Sequence, residues 1–136
     1  MSEYGPALGR RFRSLKLWAV LRCYGRAGLQ EVIREHVRLA QLFASWVEAE
    51  PGWTIEAPYP FSTVCFRLDA SDGKNEALVD QANATGEIFL GGTRLRGRYV
   101  IRLAIGNLWT TEGDVARAWS VLKEAAQPTA TSVEQA

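Results

Sequence analysis

Histidine is nearly missing from this chain: His36 is the only one in 136 residues. A zinc site built on paired histidines is thereby excluded, and a Ser-His-Asp triad has nothing else to support it. Cysteine is almost as scarce. Cys23 and Cys65 fit no C-x-x-C spacing and sit in apolar sequence, so both are expected to be free, buried thiols and no disulfide framework is expected. No apolar run is long enough to cross a bilayer. No charged-then-apolar signal segment with a small-residue cleavage site opens the chain, so no membrane partner is expected and the cytoplasm is the expected compartment. Neither a Walker pattern nor a G-x-G-x-x-G is present, so Gly91-Gly92 reads as a strand end or bulge where another backbone comes close.

What is present suits one small folded unit. The net charge is only +1, which gives no overall pull toward nucleic acid or anionic lipid, while 47% hydrophobic residues are enough for a core. Apolar periodicity predicts helices over residues 10–24 and 28–50, the second stopped by Pro51-Gly52. Strands are expected over 53–57 and 62–68, then a helix over 75–85 capped near Ser71-Asp72-Gly73 and closed by Gly86. Two further strands, 87–93 and 99–105, are joined through Leu95-Arg96-Gly97-Arg98. Thr110 or Thr111 can cap a last helix ending at 126, and Thr111 with Asp114 resembles a capping box. The order α-α-β-β-α-β-β-α indicates an α+β fold with helices on one face of a mostly antiparallel sheet. Residues 1–7 form a short lead, 8–126 a single domain, and 127–136 a small, polar tail expected to be disordered.

The helices carry more apolar surface than one core needs. On the long helix, Leu29, Val32, Ile33, His36, Val37, Ala40, Phe43, Ala44 and Val47 form the expected core stripe, and Leu39, Leu42 and Trp46 form a second. The first helix has one stripe of Phe12, Leu15, Ala19 and Cys23 and another of Leu17, Val20, Leu21 and Tyr24. A surface helix of a monomer needs only one such face, so two predict burial on both sides or an interface. Five tryptophans in so short a chain point the same way.

Side chains that could carry chemistry are few. His36 lies on the apolar stripe and reads as a hydrogen-bonded core or interface residue, and Lys16 as an ordinary surface or interface lysine. Arg10, Arg11, Arg13, Lys16, Arg22 and Arg26 form a basic cluster. At about 100° per residue they scatter around the helix instead of lining one face, which argues against a groove-binding helix and for carboxylate and backbone partners on a neighbouring domain. No metal site and no catalytic residue are expected, and no nucleic-acid partner.

The run Leu8-Gly9-Arg10-Arg11-Phe12-Arg13-Ser14-Leu15-Lys16-Leu17-Trp18, followed by Leu21-Arg22-Cys23-Tyr24-Gly25 and Gly28-Leu29-Gln30, resembles the C-terminal part of pyridoxal-phosphate-dependent amino-acid decarboxylases. The aromatic-L-amino-acid decarboxylases are the nearest branch. Ile33-Arg34-Glu35-His36-Val37, Val64-Cys65-Phe66-Arg67-Leu68, Asn75-Glu76-Ala77-Leu78 and Arg102-Leu103-Ala104-Ile105-Gly106-Asn107 extend the likeness in the same order, from about residue 7 to 126. The resemblance implies the small C-terminal domain of an aspartate-aminotransferase-type fold. It also implies pyridoxal phosphate as cofactor, and as partners a large cofactor-binding domain and the second subunit of a homodimer. In such enzymes the cofactor lysine lies in a His-Lys pair of the large domain; this chain has no such pair, so Lys16 does not inherit the role.

One position carries over. Gly9, before Arg10-Arg11-Phe12-Arg13, corresponds to a residue facing the substrate side chain in the neighbouring subunit's active site. It is Gly in enzymes of aromatic amino acids and Ser in histidine decarboxylases. Ala19 in place of Phe, Gly91-Gly92-Thr93 in place of a Ser-His-Thr-like run, and Trp109 in place of Arg depart from the pattern. The chain is thus expected to be a fragment that is inactive alone, the alternative being a non-catalytic interaction module. The exact amino acid, and decarboxylation against oxidative deamination, stay open.

Overall fold

A computed structural model describes residues 13–127. The lead 1–7, Gly9, and residues 128–136 of the tail lie outside the described residues. The chain divides between Arg34 and Glu35 into two compact units.

The first unit is helical. Helix α1 (Arg13–Ala49) is interrupted only at Gly25, whose φ of 64° and ψ of 179° are non-helical. A residue without Cβ adopts that conformation freely, which is why the two expected helices meet there. Phe12 lies outside the described residues; the described members of both stripes are open to solvent, with Leu15, Leu17, Trp18, Val20, Leu21 and Tyr24 all exposed. Arg22 lies 6.0 Å from the Trp18 ring centroid, an exposed cation–π pair. Cys23 is exposed and Cys65 half-buried, so the expectation of two buried thiols is corrected. The apolar neighbours of Cys23 are themselves uncovered.

The second unit holds the sheet. Strands β1 (Trp53–Ile55), β2 (Thr63–Leu68), β3 (Gly91–Leu95) and β4 (Arg98–Ala104) lie in the order β1-β2-β4-β3, every pair antiparallel. Helices α2 (Asp72–Ala84) and α3 (Glu112–Ala126) complete the α+β fold. Alternation along β2 and β4 sends Val64, Phe66 and Ile101 into one core with Leu39, Ala40, Phe43 and Val47 of α1, Leu78 and Val79 of α2, and Val115 and Leu122 of α3. Phe43 packs edge-on to Phe66 at 5.1 Å and to Trp119 at 5.6 Å, and Trp53 meets Trp119 at 5.1 Å.

Several expectations shift. Leu39 belongs to the core and not to a second, unpartnered stripe, whereas Ile33 is 59% exposed. Trp53 and Trp119 are core residues, so only Trp18 and Trp109 among the tryptophans are exposed. Residues 87–90 are not strand: Asn83 bonds both Leu90 N (2.7 Å) and Leu90 O (3.0 Å), tying that segment to α2 before β3 begins. Gly92 sits under a side chain and not another backbone, because a Cβ there would overlap the Tyr99 phenol.

The capping signals perform as read. The Ser71 hydroxyl accepts from Lys74 N, and Thr111 with Asp114 forms a complete capping box, giving α3 its start. Arg96 and Gly97, with φ of 51° and 81°, make the two-residue turn between Leu95 and Arg98.

Candidate functional site

The β2–β4 ladder stops after Phe66↔Ile101. Beyond it, two polar side chains substitute for the missing strand partners. Asn75, fully buried, pairs with both backbone groups of Leu68. Arg67, only 4% exposed, donates to Tyr99 O (3.1 Å), Leu68 O (3.3 Å), Ala70 O and Asp72 Oδ1 (3.2 Å). Asp72 is held below the ordinary carboxylate range first by the Tyr99 backbone N–H, then by Arg67 and Arg94. Each of the three guanidinium nitrogens meets an acceptor, so Arg67 locks α2 to the sheet.

His36 is half-buried and its Nε2 lies 3.1 Å from the Asn107 carbonyl, to which it donates. The ring thus ties α1 to the loop between β4 and α3. Beside it Arg38 grips Glu35 through two bonds of 2.8 Å and reaches Glu112 at 3.2 Å. The Arg38 bond holds the Glu35 carboxyl below its ordinary range. A carboxylate so engaged, next to an imidazole bonded to a carbonyl, forms a surface clamp and not an acid–base pair. Among the described residues no group of three or more His, Cys, Asp and Glu side chains is placed to hold a metal ion. Likewise, no described helix is long and apolar enough to cross a membrane.

Pyridoxal phosphate requires an attachment lysine, a carboxylate for the pyridine nitrogen and donors around the phosphate. The sequence has three lysines. Lys16 is exposed on α1, and Lys123 faces Glu50 at 3.6 Å and the Trp119 ring at 5.8 Å. Lys74 borders an open groove of about 470 Å³ floored by Gly52, Leu68, Leu78 and Ala126. Asp69, Gln81 and Gln127 are the other polar residues of its lining, and it holds no second cation to join Lys74 in binding a phosphate. The described residues therefore do not fit the cofactor. Gly9, the one expected substrate contact, lies outside them.

The end of the sheet where β2 begins and β4 ends carries exposed apolar side chains. Ile105 N donates to Ser62 O (2.9 Å), bringing two loops together; Phe61 in one and Trp109 in the other are 73% and 81% exposed. The sequence signal for this feature is the departure at Trp109, and nothing local marks Phe61 as exposed.

Residues 2–69 match the pyridoxal-dependent decarboxylase conserved domain. The chain is 46% identical over 116 residues to aromatic-L-amino-acid decarboxylase of Sus scrofa, covering 85% of this chain and 24% of that protein. It is 43% identical over 126 residues to phenylacetaldehyde synthase of Arabidopsis thaliana, covering 88% and 26%. Catharanthus roseus tryptophan decarboxylase, solved in complex with L-tryptophan, superposes with a TM-score of 0.79 at 41% identity, over 88% of this chain and 26% of that one. The chain thus spans about a quarter of the length of the relatives it matches. With its antiparallel sheet and helices arranged as in solved enzymes of the aspartate-aminotransferase-type fold, the chain belongs to the pyridoxal-phosphate-dependent decarboxylase family.

Proposed function

We propose that residues 8–126 are the small domain of a decarboxylase that removes the α-carboxylate of an aromatic L-amino acid, working beside a large domain that carries pyridoxal phosphate. Family membership supports this, together with three lysines none of which stands in a cofactor cradle. In this reading the enzyme is a cytoplasmic homodimer. Gly9 lines the neighbouring subunit's substrate pocket, leaving room for an aromatic ring and offering no hydroxyl. The chain's own residues act structurally: the uncovered apolar helix before Gly25 packs against the rest of the enzyme, and His36 holds the loop that carries Trp109.

The test is direct. Incubated with pyridoxal phosphate, the chain alone is expected to show no cofactor absorbance band that borohydride abolishes, and to release no carbon dioxide from dopa, tyrosine or tryptophan. Either signal from the isolated chain would overturn the reading. Supplied with the missing large portion of a relative, it is expected to restore release of carbon dioxide from one of these amino acids.

The exposed stripes of α1 also suit a non-catalytic interaction module. Light scattering after size exclusion separates the two: a well-behaved monomer that binds one unrelated protein favours the module, and aggregation relieved by the large portion favours the domain.

A further inference from the structure

Two charges of opposite sign stand unpaired at one end of the groove beside α2. Nearby charges answer one another: Arg67 meets Asp72, and Arg94 meets Asp72 and Glu76. Asp69 and Lys74 are both exposed and both line the groove, and neither has an ion-pair partner among the described residues, each other included. Asp69 stands two residues before the Ser71 cap and Lys74 in the first turn of α2, so both belong to the end of the groove where the helix begins. Gln81 lines the groove further along the same helix, about 10 Å from Lys74 at about 1.5 Å per residue. The lining between them is apolar: Ala77 and Leu78 of α2, with Leu68 of β2 and Ala126 of α3. At about 470 Å³ the groove falls in the size range of small-ligand sites.

We propose that this groove binds a free α-amino acid with a large apolar side chain, its carboxylate on Lys74, its ammonium on Asp69 and its side chain along Ala77 and Leu78. Charge complementarity selects the occupant. A free α-amino acid carries both charges on one carbon and its apolar mass to one side, which is the arrangement of the groove. A simple carboxylate or amine matches one of the two charges and leaves the other to lose water without a partner. A peptide long enough to fill the groove, about three residues at about 3.3 Å each, holds its terminal charges at opposite ends. Alanines at 77 and 126 leave room for a flat side chain to lie close. All these residues belong to the second unit, and the site needs no pyridoxal phosphate, so the inference goes beyond the proposed decarboxylase reading. Beside that reaction, the site distinguishes the amino acid from the amine that loss of its carboxylate leaves.

The experiment titrates L-phenylalanine into the isotope-labelled full chain and follows the backbone amide resonances. Saturable shifts are expected at Ala70, Ala77 and Leu78 and not in the β3–β4 hairpin. Phenethylamine, which lacks the carboxylate, and phenylpropionate, which lacks the ammonium, are each expected to bind about twofold to fivefold more weakly, the range of one exposed charge pair. Lys74→Gln and Asp69→Asn should each cost phenylalanine the same factor, while Asp80→Asn on the same helix costs nothing. Lys74→Gln should leave the affinity for phenethylamine unchanged, because that probe has no carboxylate to lose. The absence of shifts in the groove would overturn the proposal, as would equal affinity of phenylalanine and either analogue. Tighter binding of trialanine than of phenylalanine would also overturn it, by making a peptide the occupant. The analogue series uses the unaltered chain and decides the matter even where a variant disturbs the fold. Each of these failures leaves the proposed function standing, because that reading is tested by release of carbon dioxide.

Discussion

The side-chain amide of Asn75 pairs with the backbone of Leu68 as a neighbouring strand would: Oδ1 accepts from Leu68 N at 2.9 Å and Nδ2 donates to Leu68 O at 3.1 Å. It does so fully buried, at the first turn of α2. Replacing it with leucine leaves Leu68 N without a partner away from water, at about 1–3 kcal/mol, while Leu68 O keeps Ala70 N (2.8 Å) and Arg67 Nε (3.3 Å). Asn75→Leu is therefore expected to lower the unfolding free energy by about 1–3 kcal/mol, read from the urea midpoint. Asn75→Asp, which can still accept from Leu68 N, should recover part of the loss.

Gly92 and Tyr99 are matched in a different way, by exclusion. The phenol ring lies where a side chain on Gly92 would be, so Gly92→Ala must push the ring aside. The expected loss is about 1–3 kcal/mol. In Tyr99→Ala the same glycine substitution should cost almost nothing. A double-mutant cycle measures the coupling, and strictly additive losses would contradict the contact.

Carboxylates hold the pH response. Glu35 is lowered by Arg38, Glu87 by Arg117, Asp72 by the Tyr99 N–H, and Asp114 by Thr111. A carboxyl whose folded value lies below its unfolded value contributes stability above the unfolded value and loses it as pH falls through the folded one. The stabilisation is therefore expected to be complete above about pH 5 and to fade progressively below about pH 4.5. Thermal melts from pH 7 to pH 3 check this. Asp114→Asn and Glu87→Gln should each make the acid decline shallower, and a steeper decline would refute the assignment.

Much of the fold is legible in the order of residues because its signals are local. Ser71 and Thr111 place the starts of α2 and α3, Gly25 interrupts α1, and Arg96-Gly97 turns β3 into β4. Each depends on a hydroxyl or a φ value within a few residues. Alternation in Val64-Cys65-Phe66 and the helical spacing of Ala40, Phe43, Ala44 and Val47 likewise designate a core before any contact is known. The 87–90 segment has strand-like composition but is not strand, because side chains and not a strand partner take its hydrogen bonds: Asn83 at Leu90, seven residues away, and Thr85 at Glu87.

Residue order alone carries the α+β class, the family likeness in blocks spread from about residue 7 to 126, and the lack of a lysine in a His-Lys pair. These follow from periodicity, capping chemistry and residue identity, none of which needs distant contacts. Long-range packing alone turns Leu39 inward, gives each guanidinium nitrogen of Arg67 an acceptor, and leaves Arg102 without an ion-pair partner among the described residues. The four strand arginines Arg67, Arg94, Arg98 and Arg102 look alike in sequence. Sheet register and the carboxylates brought within reach separate them, because both are set by residues far apart in the chain.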